Sequence, residues 1–127
     1  MTKFSIPKVS LTTNGPKLSK LVYGRYIKAY LLGTWRLADV EESPLELLKR
    51  VKHCMELGIT TFDCADIYGG IDHVCETLLG KALALAPELR ADMEIVTKCG
   101  IVCPSDSVHI KHYDLSENYI LKRVNER

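Results

Sequence analysis

Gly58-Ile59-Thr60-Thr61-Phe62-Asp63-Cys64-Ala65-Asp66-Ile67-Tyr68-Gly69-Gly70 is the stretch on which the reading of the fold turns. Its opening, Ile59 to Phe62, is β-branched and aromatic and suits a buried strand. Where the apolar run stops, Asp63, Asp66 and Tyr68 follow. Two glycines then break the backbone before the next helical pattern begins. Ionisable side chains at the end of a buried strand, just ahead of a loop, stand where α/β proteins carry their chemistry.

The flanks supply helices. Upstream, Ser43-Pro44-Leu45-Glu46 is a capping box with proline at the first helical position. Leu45, Leu48, Val51, Cys54 and Met55 follow on one helical face, and Gly58 stops the helix. His53 lies beside that face and reads as structural. Downstream, a helix is predicted from Asp72 to about Ala86, with Val74, Leu78, Leu79, Ala82 and Leu85 as its stripe and Pro87 ending it. A strand follows from Met93 to Thr97. Strand, helix and strand in alternation imply parallel strands with helices outside, an α/β fold. Residues 101–112 show no periodicity and read as loop. Residues 114–127 read as a third helix, with Ser116 and Tyr119 near its start and Leu121 and Val124 as a thin apolar face.

Composition excludes several classes. The chain has 127 residues, an apolar fraction of 46%, and 17 basic against 16 acidic side chains. That balance, with the charges interspersed, offers no broad positive field for nucleic acid or an anionic membrane. No run approaches the length of a membrane span and no signal peptide is evident, so a cytoplasmic protein is expected. The cysteines at 54, 64, 75, 99 and 103 contain no Cys-x-x-Cys and are odd in number, so reduced thiols are expected. Cys99 and Cys103 have His109 and His112 nearby, but tetrahedral metal sites usually show tighter paired spacing, and no metal is expected.

The central stretch resembles the aspartate-to-tyrosine motif of the aldo–keto reductases, NADP-dependent carbonyl reductases built on a (β/α)8 barrel. In that pattern a strand ends in Asp and the catalytic Tyr comes five residues later; here these are Asp63 and Tyr68. Glu94-Ile95-Val96-Thr97-Lys98-Cys99-Gly100 resembles the family's third barrel strand, which ends in its catalytic Lys. Gly33-Thr34-Trp35-Arg36-Leu37 and Ala86-Pro87-Glu88-Leu89-Arg90 resemble a bacterial oxidoreductase branch of the family. The resemblance implies the N-terminal part of a (β/α)8 barrel, incomplete in this chain, since a whole barrel needs about 250 residues. The partial barrel is expected over residues 1–127, with a hairpin at about 3–23 and barrel elements from about 29 to 127.

The N-terminal segment fits that outline. Residues 3–14 alternate apolar and polar, Asn14-Gly15-Pro16 is a turn signal, and a β-hairpin or irregular lid follows. Leu21 to Gly24 and Ala29 to Gly33 are two candidates for the first barrel strand. Tyr30 to Gly33 is preferred because it adjoins the Gly-Thr-Trp segment; against relatives, Arg25 to Gly33 looks like extra sequence.

By resemblance, Tyr68 is the proton donor, Lys98 the ammonium that eases proton loss from the phenol, and Asp63 the carboxylate that holds Lys98 charged and oriented. Gly33, Thr34 and Trp35, with Asp63, would contact NADP(H), glycine allowing close approach and Trp35 a flat wall. Trp35 alone would read as a core aromatic. Taken singly, Asp63 reads as a turn cap, Tyr68 as packing on the next helix and Lys98 as a solvated strand end; together, at family spacing, they read as a site. Asp66 is expected to make a turn-stabilising contact. His73, His109 and His112 do not match the family's catalytic histidine, whose place lies beyond Arg127. The implied partner is a small-molecule carbonyl substrate, with no nucleic acid and no membrane. The alternative is a catalytically inactive half-barrel acting by self-association through exposed sheet edges.

Overall fold

The computed structural model describes residues 6–19, 22–23, 34–70 and 73–126. An antiparallel hairpin comes first, β1 (Lys8–Ser10) with β2 (Lys17–Ser19), as the turn signal predicts. The central layer is a parallel sheet ordered β3-β4-β5, formed by β3 (Val22–Tyr23), β4 (Thr61–Asp63) and β5 (Glu94–Val96). Helix α1 (Pro44–Glu56) connects β3 to β4, and α2 (Val74–Leu83) connects β4 to β5. A 3-10 segment, Thr34–Asp39, precedes α1, and a second, Pro87–Asp92, precedes β5. This is the alternation that the sequence implied.

The place beside β4 belongs to Val22–Tyr23, which runs parallel to it in register with Thr61 and Phe62. That overturns the preference for Tyr30 to Gly33, which lies outside the described residues. Adjacency to a motif is a weaker constraint than the register of a paired strand.

Register also decides which side chains share a face. Thr61 pairs with Glu94, Phe62 with Ile95 and Asp63 with Val96. Side chains alternate along a strand, so Phe62 and Ile95 point one way and Thr61, Asp63, Glu94 and Val96 the other. Phe62 is fully buried, in a cluster with Leu47, Leu48, Val51, Leu79 and Met93, so the apolar core lies between the sheet and the two helices.

The helices form for local reasons, and the faces they bury differ in part from the predicted stripes. In α1 the capping box closes as predicted: Glu46 N donates to Ser43 Oγ at 3.3 Å, and Ser43 N donates to Glu46 Oε2 at 2.9 Å. Its buried face is Leu47, Leu48, Val51 and Cys54, whereas Leu45 in the first turn is exposed. His53 is exposed and faces Glu56. Helix α2 buries Cys75, Leu79 and Ala82. It ends at Leu83, before its stripe reaches Leu85, which is exposed. Asp72, its predicted first residue, lies outside the described residues; His73 caps the helix in a left-handed conformation, φ 59°.

Beyond β5 two expectations fail. Residues 101–112 are not a featureless loop: β6 (Ile101–Val102) and β7 (His112–Tyr113) pair as an antiparallel ribbon. Runs this short carry too few residues for a period to register. Helix α3 (Glu117–Asn125) starts at Ser116, whose hydroxyl accepts from Tyr119 N. Its predicted apolar face points outward, with Leu121 52% and Val124 49% exposed, while Arg123 is buried. No helix among the described residues is long and apolar enough to cross a membrane.

The hairpin docks under the sheet through polar contacts. Ser19 N donates to Thr61 Oγ1 at 3.0 Å and Thr61 N to Ser19 Oγ at 3.2 Å. Lys8 Nζ donates to Glu94 Oε1 at 2.7 Å, and Thr60 and Thr61 hydroxyls both donate to Glu94 Oε2. Burial alone would raise the Glu94 carboxyl, but the Lys8 and threonine hydrogen bonds outweigh it and hold it below the usual 4.5. A carboxyl lowered in the folded state adds stability above its unfolded value and loses it as pH falls through the folded one. Urea unfolding midpoints of the wild type should therefore fall as pH drops below about 5. Glu94→Gln should be less stable at neutral pH and show a flatter acid limb. Parallel limbs for the two proteins would remove Glu94 from this account.

Candidate active site

The carboxyl ends of β4 and β5 bring the three sequence-predicted groups together. Asp63 is the last residue of β4, level with Val96. Lys98 comes two residues after Val96, on the same side of the chain, so its ammonium can reach back to Asp63. Lys98 Nζ donates to Asp63 Oδ1 at 2.5 Å and to Cys64 O at 2.8 Å. Tyr68 Oη donates to Asp63 Oδ2 at 3.4 Å, and Lys98 Nζ stands 5.0 Å from the centre of the Tyr68 ring. One carboxylate therefore holds the amine on one oxygen and the phenol on the other.

The loop after β4 is built to return Tyr68 to this point. Cys64 N donates to Val96 O at 2.7 Å and Asp66 N to Lys98 O at 3.0 Å, extending the ladder past the strand ends. Tyr68 N then donates to Ala65 O at 3.1 Å, and Cys75 N to Tyr68 O at 3.2 Å, closing a turn against α2. Gly69 follows at φ 97°, a backbone conformation that favours glycine, and an added Cβ would sit tightly, 3.0 Å from Val74 Cβ.

Electrostatics keep Lys98 charged. Burial works against its ammonium, but hydrogen bonds with Asp63 and Tyr68 and the Asp63 charge outweigh it, raising Lys98 above the ordinary 10.5. The sign means that its contribution is complete below the ordinary lysine value and is lost only as pH rises through the raised one. At neutral pH the site thus holds an ammonium between Asp63 and the Tyr68 ring. The Lys98 side chain remains 47% exposed, which leaves the cluster open to a small molecule.

The other predicted contacts are distributed differently. Thr34 is buried and its hydroxyl donates to Asp63 O at 3.0 Å, so it anchors the end of β4. Gly33 lies outside the described residues, as does the Trp35 side chain; the Trp35 backbone belongs to the 3-10 segment. Among the described residues no group of three His, Cys, Asp or Glu side chains is arranged to hold a metal. Cys54 and Cys64 are buried, and burial pushes both thiols up to about 11, so they are neutral core groups. A cavity of about 400 Å³ runs between α2 and β5, lined by Cys64, His73, Glu76, Leu79 and Thr97 among others, and its lining does not include Asp63, Tyr68 or Lys98.

Asp66 makes a contact that the sequence expectation did not include. Its Oδ2 accepts from Arg123 Nε at 2.7 Å, with both side chains buried. Sequence reasoning missed this pair, because a lone arginine beside Leu121 and Val124 reads as the solvent face of a helix.

The profile of the aldo/keto reductase family matches residues 31–127. The chain belongs to the aldo/keto reductase family. It is 50% identical over 97 residues to the uncharacterized oxidoreductase YcsN of Bacillus subtilis, covering 74% of this chain and 32% of that protein. It is 43% identical over 108 residues to a 6-dehydroglucose reductase of Agrobacterium fabrum, covering 82% and 33%. With oxidoreductase YdhF of Escherichia coli it shares 37% over 122 residues, covering 95% and 37%. An aldo-keto reductase of Bacillus halodurans, solved in its holo form, superposes with a TM-score of 0.67 at 25% identity, over 95% of this chain and 35% of that one. The fold of this aldo/keto reductase chain is accordingly part of an α/β barrel, and the chain spans about a third of the length of the relatives it matches.

Proposed function

We propose that this chain carries the proton-donating corner of an NADP(H)-dependent carbonyl reductase. The observation that supports it is the meeting of Asp63, Tyr68 and Lys98 at the carboxyl ends of adjacent parallel strands. NADPH, when bound, supplies the hydride that reaches the carbonyl carbon. The developing alkoxide oxygen takes the phenolic proton of Tyr68, and an alcohol results.

Each side chain has a task that its surroundings suit. The Tyr68–Asp63 hydrogen bond is long, 3.4 Å, so the phenolic proton is weakly held there and free to turn to a carbonyl oxygen. The Lys98 ammonium near the ring favours the phenolate that forms as the proton leaves. Asp63 fixes the ammonium and limits the cost of its partial burial. Thr34 is bonded to the Asp63 carbonyl, and by the family resemblance Gly33, Thr34 and Trp35 with Asp63 would hold the nicotinamide end of the cofactor. An exposed amine beside a half-buried acid and phenol fits a polar ring-and-carbonyl ligand, and the Bacillus halodurans relative was solved in a holo form.

The substrate is a small aldehyde or ketone. Titration of the chain into NADPH, followed by nicotinamide fluorescence, should give saturable binding in the micromolar range. Turnover should then appear with a panel of carbonyl compounds that includes 6-dehydroglucose, for which one relative is named. Absence of binding by the chain would favour the inactive half-barrel instead.

A further inference from the structure

We infer that the buried Asp66–Arg123 ion pair is a positioning device for Tyr68, coupling helix α3 to the proton donor; this rests on the reductase reading given above. Asp66 is 1% exposed and Arg123 4%. Arg123 is the one buried residue of α3. The helix thus meets the site loop through an ion pair, with Leu121 and Val124 turned away.

Asp66 is tied on three sides. Its N–H donates to Lys98 O at 3.0 Å, its carbonyl accepts from His73 N at 2.6 Å, and its carboxylate accepts from Arg123 Nε at 2.7 Å. It therefore joins the strand end that carries Lys98, the start of α2, and α3. Tyr68 lies two residues further on, in the short arc between Asp66 and His73. Moving Asp66 moves one anchor of that arc.

Arg123 is itself held. Its Nη1 donates to Glu126 Oε2 at 2.9 Å, and Glu126 Oε2 lies 3.7 Å from His73 Nε2. His73 Nδ1 is 2.5 Å from Glu76 Oε2, and the Thr97 hydroxyl donates to Glu76 Oε1. The chain of contacts closes on Thr97, the residue before Lys98. The guanidinium is thereby aimed at Asp66 from a framework that already includes both ends of the site. An ion pair that merely fastened α3 to the body of the protein would need no such return to the lysine strand.

The test separates positioning from stabilisation. The double variant Asp66→Leu/Arg123→Met replaces the pair by apolar groups, a change that buried ion pairs often tolerate without loss of stability. Its carbonyl reductase kcat should fall roughly tenfold to a hundredfold, as expected when a reacting group is misplaced by about an ångström. The KM for NADPH should stay within about twofold of wild type, because only the proton donor has moved. The ring ¹³Cζ resonance of Tyr68, assigned by its loss in Tyr68→Phe, should shift. Unchanged kcat and resonance in a folded double variant overturn the inference. If that variant does not fold, Asp66→Asn, of nearly the same shape, takes its place with the same two outcomes. Where the wild type has no reductase activity, the resonance decides alone: a shift sustains the coupling and discards only the reductase reading, while an unmoved resonance discards the coupling.

Discussion

Tyr68→Phe should lower kcat for NADPH-dependent carbonyl reduction by about 10² to 10⁴-fold, the range for removing a positioned general acid. That corresponds to about 2.7–5.5 kcal/mol of transition-state stabilisation. Phenylalanine keeps the ring that packs against the apolar cluster, so the fold and the cofactor affinity should be retained. Only the hydroxyl is lost, and with it the proton and the contact to Asp63 Oδ2. Lys98→Met should also lower kcat, by removing the cation 5.0 Å from the ring centre and freeing Asp63. Steady-state kinetics at saturating NADPH measure both. A phenylalanine variant with wild-type kcat would take the acid's role from Tyr68.

Arg123→Met alone should destabilise the chain by about 3–5 kcal/mol, because it strands the Asp66 carboxylate inside the protein. Asp66 is 1% exposed, so water cannot readily replace the guanidinium. Against the 5–15 kcal/mol that holds a typical domain together, such a loss is severe. The effect belongs to the broken pair rather than to its net worth, which is why the paired apolar replacement should be much milder. By contrast the more exposed Lys8–Glu94 bridge should be worth no more than about 1 kcal/mol. Urea denaturation of the single and double variants gives the comparison, and a single variant within about 1 kcal/mol of wild type would contradict it.

These two expectations differ in how they could be reached. Asp63, Tyr68 and Lys98 were legible in the sequence because together their spacing resembles that of the aldo–keto reductases; taken singly, each reads as a turn cap, a packed aromatic or a solvated lysine. Thr34 was legible as a site residue, but not its bond to the Asp63 carbonyl. Asp66 was visible as an acid in the right loop, yet its partner stands 57 residues away on a helix whose apolar residues pointed to another orientation.

What the sequence determined by itself is what neighbours a few residues apart can enforce. The Ser43–Glu46 capping box, the Gly15 turn, the glycine after Tyr68 and the alternation of β-runs with helical stripes all act within one turn or one strand. Only the tertiary structure decided which segment lies beside β4, which way α1 and α3 roll, and which charge neutralises Asp66. Those choices minimise exposed apolar area and unpaired charge over the whole molecule at once. A helix with a weak stripe has little local preference for one roll over another. In α3 a buried carboxylate in need of a cation outweighs two leucine-sized side chains, so Arg123 faces in and Leu121 and Val124 face out.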